Sequence, residues 1–375
     1  MKNIVNLGNV ATYINGYAFK PSDWAEDGTP IIRIQDLTGN SYQMNRFKGI
    51  VDSKYDVNSG DVLISWSASL GVYVWNRGNA VLNQHIFKVV FDKEEVDKDF
   101  FVFQIDNLLK RAANQAHGAT MRHLTKPVFD ALPFYLPDIK TQRLISSKLN
   151  LIVHLIEDHH EQLKKLDELI RSRFIEMFGH SDRPKVRLGE CCIINPKKSS
   201  DIRLVDNDLM VSFVSMSDVS EDGQIVTCNH KQYESVKSGF TYFSENDVLF
   251  AKITPCMENG KGGIAKGLLN GIGFGSTEFH VLRPIDQVSN SCWLYELTSF
   301  PQFRQAAEIN MTGSAGQRRV PASFLANYKV SLPPISLQNQ FADFVHQLDK
   351  SKMAIQKSLD ELETLKKSLM QTYFG

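Results

Sequence analysis

The chain has 375 residues, 42% of them hydrophobic and 22% charged, with 42 basic and 42 acidic side chains that cancel. That length allows two modest cores, and that composition excludes a disordered chain. Zero net charge excludes a protein coated in basic surface, so any nucleic-acid contact must use local basic patches or charge borrowed from a partner.

The five cysteines, Cys191, Cys192, Cys228, Cys256 and Cys292, are odd in number and show no CxxC spacing. They read as reduced, buried thiols, with neither a disulfide framework nor a metal site. The opening MKNIVNLGNVATYING lacks the apolar core of a signal peptide. No stretch approaches the roughly 18 apolar residues that span a bilayer. A soluble, cytoplasmic protein without membrane contact is expected.

Followed in order, the chain is written twice. Val5-Asn6-Leu7-Gly8 returns as Val186-Arg187-Leu188-Gly189, and the strand-like Ile31–Leu37 returns as Phe213–Val219. Gly60-Asp61-Val62-Leu63-Ile64 recurs as Asn246-Asp247-Val248-Leu249-Phe250. Leu136-Pro137 matches Leu332-Pro333, and Phe178-Gly179 matches Phe374-Gly375. The offset grows from 181 residues at Val5 to 196 at Leu136, then stays at 196 through Phe178. A period of that size indicates duplicated domains rather than a solenoid. The locked register after Leu-Pro means the next segment has a geometric task that forbids insertions.

That segment reads as a long helix in both copies. Ile145, Leu149, Ile152, Ile156, His159, Leu163, Leu166 and Ile170 alternate spacings of four and three. Phe341, Val345, Leu348, Lys352, Ile355, Leu359, Leu362 and Lys366 repeat them. This is a coiled-coil seam. Ser336 reads as the N-cap of the second helix, behind Pro333-Pro334. His159 and Lys352 interrupt the seam at different levels, either to set register or merely to snorkel at its edge.

The remaining segments mix short β-branched and aromatic runs with Gly-, Asn- and Asp-rich turns, and each holds a helix-like stretch, 100–116 and 291–308. The expected fold is α+β: globular domains at 1–138 and 181–335, and helices at 139–180 and 336–375. The helices pair as an antiparallel coiled coil, giving a pseudo-twofold internal repeat. Two diverged readers held apart by rigid helices suit a target of two different half-sites, about one DNA turn or 34 Å apart. The same architecture would also suit two protein epitopes.

LPDIKTQRLISSKL and LPPISLQNQFADFV, each followed by a leucine-rich helix and Phe-Gly, resemble the helical regions of Type I restriction-modification specificity subunits. DVLFAKITPCMENGKGG followed by GFGSTEFHVLRP resembles one type of target-recognition domain in that family, and GDVLISWSASLG with LNQHIFKVV is its looser counterpart. The resemblance implies a non-catalytic subunit that binds double-stranded DNA. It also implies two copies of an adenine methyltransferase (M) subunit as partners and, optionally, endonuclease and translocase (R) subunits. The methyltransferases would supply much of the charge this chain lacks.

Polar residues on turns are where bases and phosphates are met. In the second reader these are Thr254, Glu258, Asn259, Lys261, Thr277, Glu278 and His280, although Glu278 and His280 also suit an internal hydrogen-bond network. In the first they are Ser67, Ser69, Asn83, Gln84 and His85. A Gly-rich turn with basic residues precedes each long helix, holding Arg122, His123 and Lys126, then Gln317, Arg318 and Arg319.

Catalytic readings fail. Leu332-Pro333-Pro334-Ile335 lacks both flanking residue types of a methyltransferase motif, and GKGGIAKG is not a phosphate-binding loop. The Gly271–Gly275 run lacks the strand–helix context of a cofactor loop, and Asp138 has no second acidic partner for nuclease chemistry. No cofactor is expected. The competing readings are the specificity subunit of a fused restriction-methylation enzyme, a coiled-coil scaffold for two protein partners, and a stand-alone methyltransferase.

Overall fold

A computed structural model describes residues 3–40, 43–115, 125–179, 184–201, 203–204, 208–227, 229–314 and 316–375. The chain divides into two compact units, Met1–His160 with Lys357–Gly375, and Glu161–Gln356.

The first unit's strands are β1 (Ile4–Asn6), β2 (Thr12–Asn15), β3 (Thr29–Ile32), β4 (Arg46–Phe47) and β5 (Asp56–Val57). Then come β6 (Val62–Ser65), β7 (Gly71–Val74), β8 (Ala80–Leu82), β9 (Ile86–Val90) and β10 (Pro133–Tyr135). They form three sheets, ordered β1-β10, β2-β9-β6-β7 and β4-β3-β8-β5. The second unit carries β11 (Lys185–Arg187), β12 (Cys192–Ile194), β13 (Met210–Val214), β14 (His230–Gln232) and β15 (Thr241–Ser244). It continues with β16 (Val248–Ala251), β17 (Gly262–Ile264), β18 (Ile272–Gly275), β19 (Phe279–Pro284) and β20 (Lys329–Ser331). Its sheets run β11-β20, β12-β19-β16-β17 and β14-β13-β18-β15. The topology is the first unit's, strand for strand, including the parallel pair β3–β8 matched by β13–β18.

The repeated Asp-Val-Leu motif explains why the copies fold alike. All four residues of β6 and of β16 are buried, because both strand faces are covered. Val62 and Ile64 pack with Phe100 and Phe101 of the helix Lys98–Gln115, while Leu63 packs with Ile32, Val57 and Trp75. Val248 and Phe250 likewise meet Trp293 and Phe303, while Leu249 meets Val214 and Phe243.

The helix-like stretch expected at 291–308 is two helices, Ser291–Ser299 and Pro301–Ile309. Pro301 forces Phe300 into an extended conformation (φ −66°, ψ 138°), which breaks the helix there. The long helices run Ile139–Phe178 and Ile335–Phe374, 40 residues each. The Asp138 carboxylate accepts from Thr141 N (3.0 Å) and Thr141 Oγ1 (2.7 Å), so it caps the first helix. The expected Ser336 cap is corrected: Pro334 O already accepts from the amides of Leu337 and Gln338, which puts Ser336 inside the first turn.

In the first unit the helix ends pair antiparallel. Ile145 and Leu149 share a core with Phe374, and His159 Nε2 lies 3.0 Å from Ser358 Oγ. In the second unit Asp167 binds Lys352, and Phe174 and Phe178 lie 5.4 and 5.5 Å from Phe341. Both polar interruptions thus bond across the seam instead of snorkelling. The expected apolar seam positions are all buried or half-buried: Ile145, Leu149, Ile152, Ile156, Leu163, Leu166 and Ile170, then Phe341, Val345, Leu348, Ile355, Leu359 and Leu362.

One buried glutamine ties each long helix to its sheets. Gln142 donates to Pro137 O (2.8 Å) and Glu95 O (3.4 Å) and accepts from Asp97 N (2.9 Å). Gln338 donates to Pro333 O (2.9 Å) and Val288 O (2.9 Å) and accepts from Asn290 N (3.0 Å). Asp97 and Asn290 in turn cap the helices that follow them, accepting from Phe100 N and Trp293 N. Gln338→Met keeps the volume but strands an amide and two carbonyls. We expect it to lower the second unit's stability by roughly 2–5 kcal/mol. Urea unfolding followed by the fluorescence of Trp293, that unit's one tryptophan, measures the loss.

Candidate nucleic-acid interface

In the second unit the candidate residues gather where the central strands β16 and β19 run out. Lys252 N donates to Glu278 O (2.9 Å), Val320 N to Lys252 O (2.9 Å) and Thr254 N to Arg318 O (3.1 Å). Thr312 and Arg319 exchange backbone bonds of 2.9 and 2.8 Å, closing the Gly-rich turn between them. The loop before the second long helix is therefore stitched to the loop after β16.

On that frame Arg319 grips Glu278 with two bonds of 2.9 Å. The guanidinium holds the Glu278 carboxyl below its usual range. Glu258 Oε1 accepts from Thr254 Oγ1 (2.7 Å) and meets Arg318 at 3.5 Å, while its Oε2 is buried with no hydrogen-bond partner. Lys261 is turned to Met216 O (3.1 Å), and Asn259, Thr277 and Gln317 are exposed. Beside them opens a cleft of about 510 Å³, lined by Asn195, Lys198, Lys237, Tyr242, Lys252 and Thr277 among others. Three of its lining side chains are lysines, and none of its described lining residues is a carboxylate.

His280 does not belong to this surface. It is 5% exposed, and Val320 O, which can only accept, fixes the proton on Nε2 (2.8 Å). Nδ1 then accepts from Asn195 Nδ2 (3.0 Å). Both ring nitrogens serve the domain's own network, the other reading the sequence offered for this residue.

In the first unit the equivalent rung is Trp66 N to His85 O (3.3 Å). Asn15 Oδ1 accepts from Trp66 Nε1 (3.2 Å) and His85 N (3.3 Å), and the Trp66 and His85 rings lie 5.0 Å apart. Trp66 stacks on Phe87 (5.6 Å), and the Lys126 ammonium lies 5.7 Å from the same ring and 2.9 Å from Asp130. Tyr17 accepts the Gln84 amide, and Gly16 makes that approach possible, since a Cβ there would lie 2.0 Å from Asn83 O. The Asn83 side-chain oxygen and His85 Nδ1 are buried with no hydrogen-bond partner. Ser69 is exposed, whereas Ser67 is 5% exposed, and its carbonyl accepts from Ser65 Oγ (3.2 Å). Arg122 and His123 lie outside the described residues.

Sequence reasoning did not single out Trp66, Lys252 and Asn15, which the structure brings beside the candidate residues. The signal was available for two of them: Trp66 and Lys252 each follow directly on the matched strands.

Burial holds the His280 imidazole below its ordinary 6.5, while the Val320 bond and Glu278 oppose the shift and Lys252 adds to it. The unfolded chain then takes up that proton first as pH falls. His280 therefore costs no stability above 6.5 and costs progressively more as pH drops toward the lower folded value. The stability advantage of the wild type over His280→Gln is expected to be largest above 6.5 and to shrink below it. Urea midpoints on either side of that pH report it.

Comparison with known proteins agrees with this frame. The Type I restriction modification DNA specificity domain matches residues 2–168 and 181–365. The Type I restriction enzyme EcoEI specificity subunit of Escherichia coli is 37% identical over 197 residues, 50% of this chain but only 32% of that protein. The chain thus matches about a third of that relative's length. The MjaVIII specificity subunit of Methanocaldococcus jannaschii is 20% identical over 398 residues, covering 98% of this chain and 90% of the relative. The crystal structure of the S subunit of a Type I restriction-modification system from M. genitalium shares the fold, with a TM-score of 0.56 at 12% identity over 100% of this chain and 96% of that one. Among the described residues no helix is long and apolar enough to cross a membrane. Matched by the family across both copies of its repeat, the chain belongs to the Type I restriction modification DNA specificity domain family.

Proposed function

We propose that this chain is the non-catalytic DNA-recognition subunit of a cytoplasmic Type I restriction-modification complex. Its two globular segments, 1–138 and 181–335, read the two halves of a split, asymmetric duplex target. The helices at 139–180 and 336–375 carry them. Two copies of an adenine methyltransferase subunit perform the methylation, and endonuclease and translocase subunits join for restriction.

One observation carries the reading: identical three-sheet scaffolds present different chemistry at the same loops. The second unit offers Glu278, Arg319, Glu258 and Arg318 in ion pairs, while the first offers Trp66, His85 and Asn15. A homodimer would read a palindrome, whereas two diverged copies in one chain read two unlike half-sites. Exposed Ser69, Asn259, Thr277 and Gln317, with Lys126, are the side chains placed to meet bases or phosphates. Zero net charge suits a subunit whose partners contribute the phosphate-binding surface.

The test is an adenine-methylation map by long-read sequencing, in a methylation-free host that carries the cognate methyltransferase gene. A split, asymmetric motif that appears only when this chain is present is the expected result. Active methyltransferase whose marks do not change with this chain would overturn the reading and favour the protein scaffold.

A further inference from the structure

We infer that Trp66 and Lys252 are equivalent specificity-determining residues, one for each half of the target, an inference that rests on the function proposed above. The two residues occupy one position in the repeated scaffold. Below them the ladders run in the same register, Leu63 opposite Lys88 and Leu249 opposite Val281. The last paired residues are Ser65 with Ile86 and Ala251 with Phe279. One residue further on, each backbone amide makes the same bond, Trp66 N to His85 O and Lys252 N to Glu278 O.

That rung marks where the core stops. Every residue of β6 and β16 beneath it is buried, whereas Trp66 and Lys252 are half-buried. The packing below is mainly apolar in both copies, with Ser65 and His280 the buried polar residues nearest the rung, yet the residue at the rung changes from a large aromatic to a cation. A core position does not tolerate such an exchange, because a buried ammonium is costly and a lost tryptophan leaves a cavity. A reading position requires it: the backbone is pinned, and the side chain is free to differ between half-sites.

The surroundings of each residue fit that role. Trp66 is oriented by Asn15 through Nε1 and by stacking on Phe87, so it presents a fixed apolar surface beside His85. Such a surface discriminates by contact with a thymine methyl. Lys252 stands in the cleft with Lys198, Lys237 and Thr277, close enough to Glu278 to influence its ionisation. Arg319 already occupies both Glu278 oxygens. An ammonium so placed is suited to the O6 and N7 acceptors of guanine.

The experiment maps methylation motifs with the wild-type chain and with Lys252→Met, Lys252→Arg, Trp66→Ala and Trp66→Phe, each co-expressed with the methyltransferase gene. Lys252→Met should relax one guanine position in one half of the motif by about tenfold or more, and Lys252→Arg should retain it. Trp66→Ala should relax one position in the other half only, by a similar factor, and Trp66→Phe, which keeps an apolar ring, should relax it less. A wild-type motif left unchanged by every variant overturns this inference alone. A uniform fall in methylation without a change at any base also overturns it, by assigning the residues to backbone contact or to folding. A wild-type map that does not depend on this chain overturns the proposed function itself.

Discussion

The fold depends on two buried amides. Gln142 and Gln338 sit 1% and 0% exposed in the first turn of their helices, and each gathers three backbone groups. Only a carboxamide offers a donor group and an acceptor on one short planar end, so neither glutamate nor leucine reproduces the set. The groups come from three places: the Leu-Pro turn, the loop before the sheet-covering helix, and that helix's own N-cap. One side chain therefore fixes where the long helix starts, the direction it leaves, and how it faces the sheet. Such a joint fixes the register between the Leu-Pro turn and the helix start, where the offset of 196 residues first holds.

Period-based features were legible in the sequence, because a seam, a repeat and a buried strand are written locally. The alternation from Ile145 to Ile170 and its copy foretold the pairing positions, and Asp-Val-Leu foretold the matching strands. What escaped was decided by groups far apart in the chain. Glu278 and Arg319 are 41 residues apart, and Asn15 lies 51 residues before Trp66. No spacing rule joins these. The Ser336 cap and the unbroken helix at 291–308 failed for a different reason. Ser336 is no cap because Pro334 O takes the first helical amides, and the helix at 291–308 breaks because Pro301 keeps Phe300 extended.

Under the proposed function, the ion pairs of the second unit's loops bear on recognition more than on stability. Arg319 and Glu278 are partly exposed, and pairs in that setting contribute little net free energy. Their value is orientation: a guanidinium clamped at two points has few conformations left to lose when a ligand arrives. The first unit reaches the same end without charge, through an indole held by an amide and a ring stack. Two physical solutions to one requirement, on one scaffold, record how far the copies have diverged while the core beneath them has not.

Phe374 packs against Phe100 (5.4 Å), and its carbonyl accepts from Asn107 Nδ2 and Arg111 Nη1 (both 3.2 Å). The first unit's core is therefore completed by a segment that lies beyond the whole of Glu161–Gln356. During synthesis the second unit is the first to have all its residues, and the unit that begins first is the last to close. The usual amino-to-carboxyl order of domain folding is inverted, and the nascent first unit must hold an open apolar face until translation has passed through its twin.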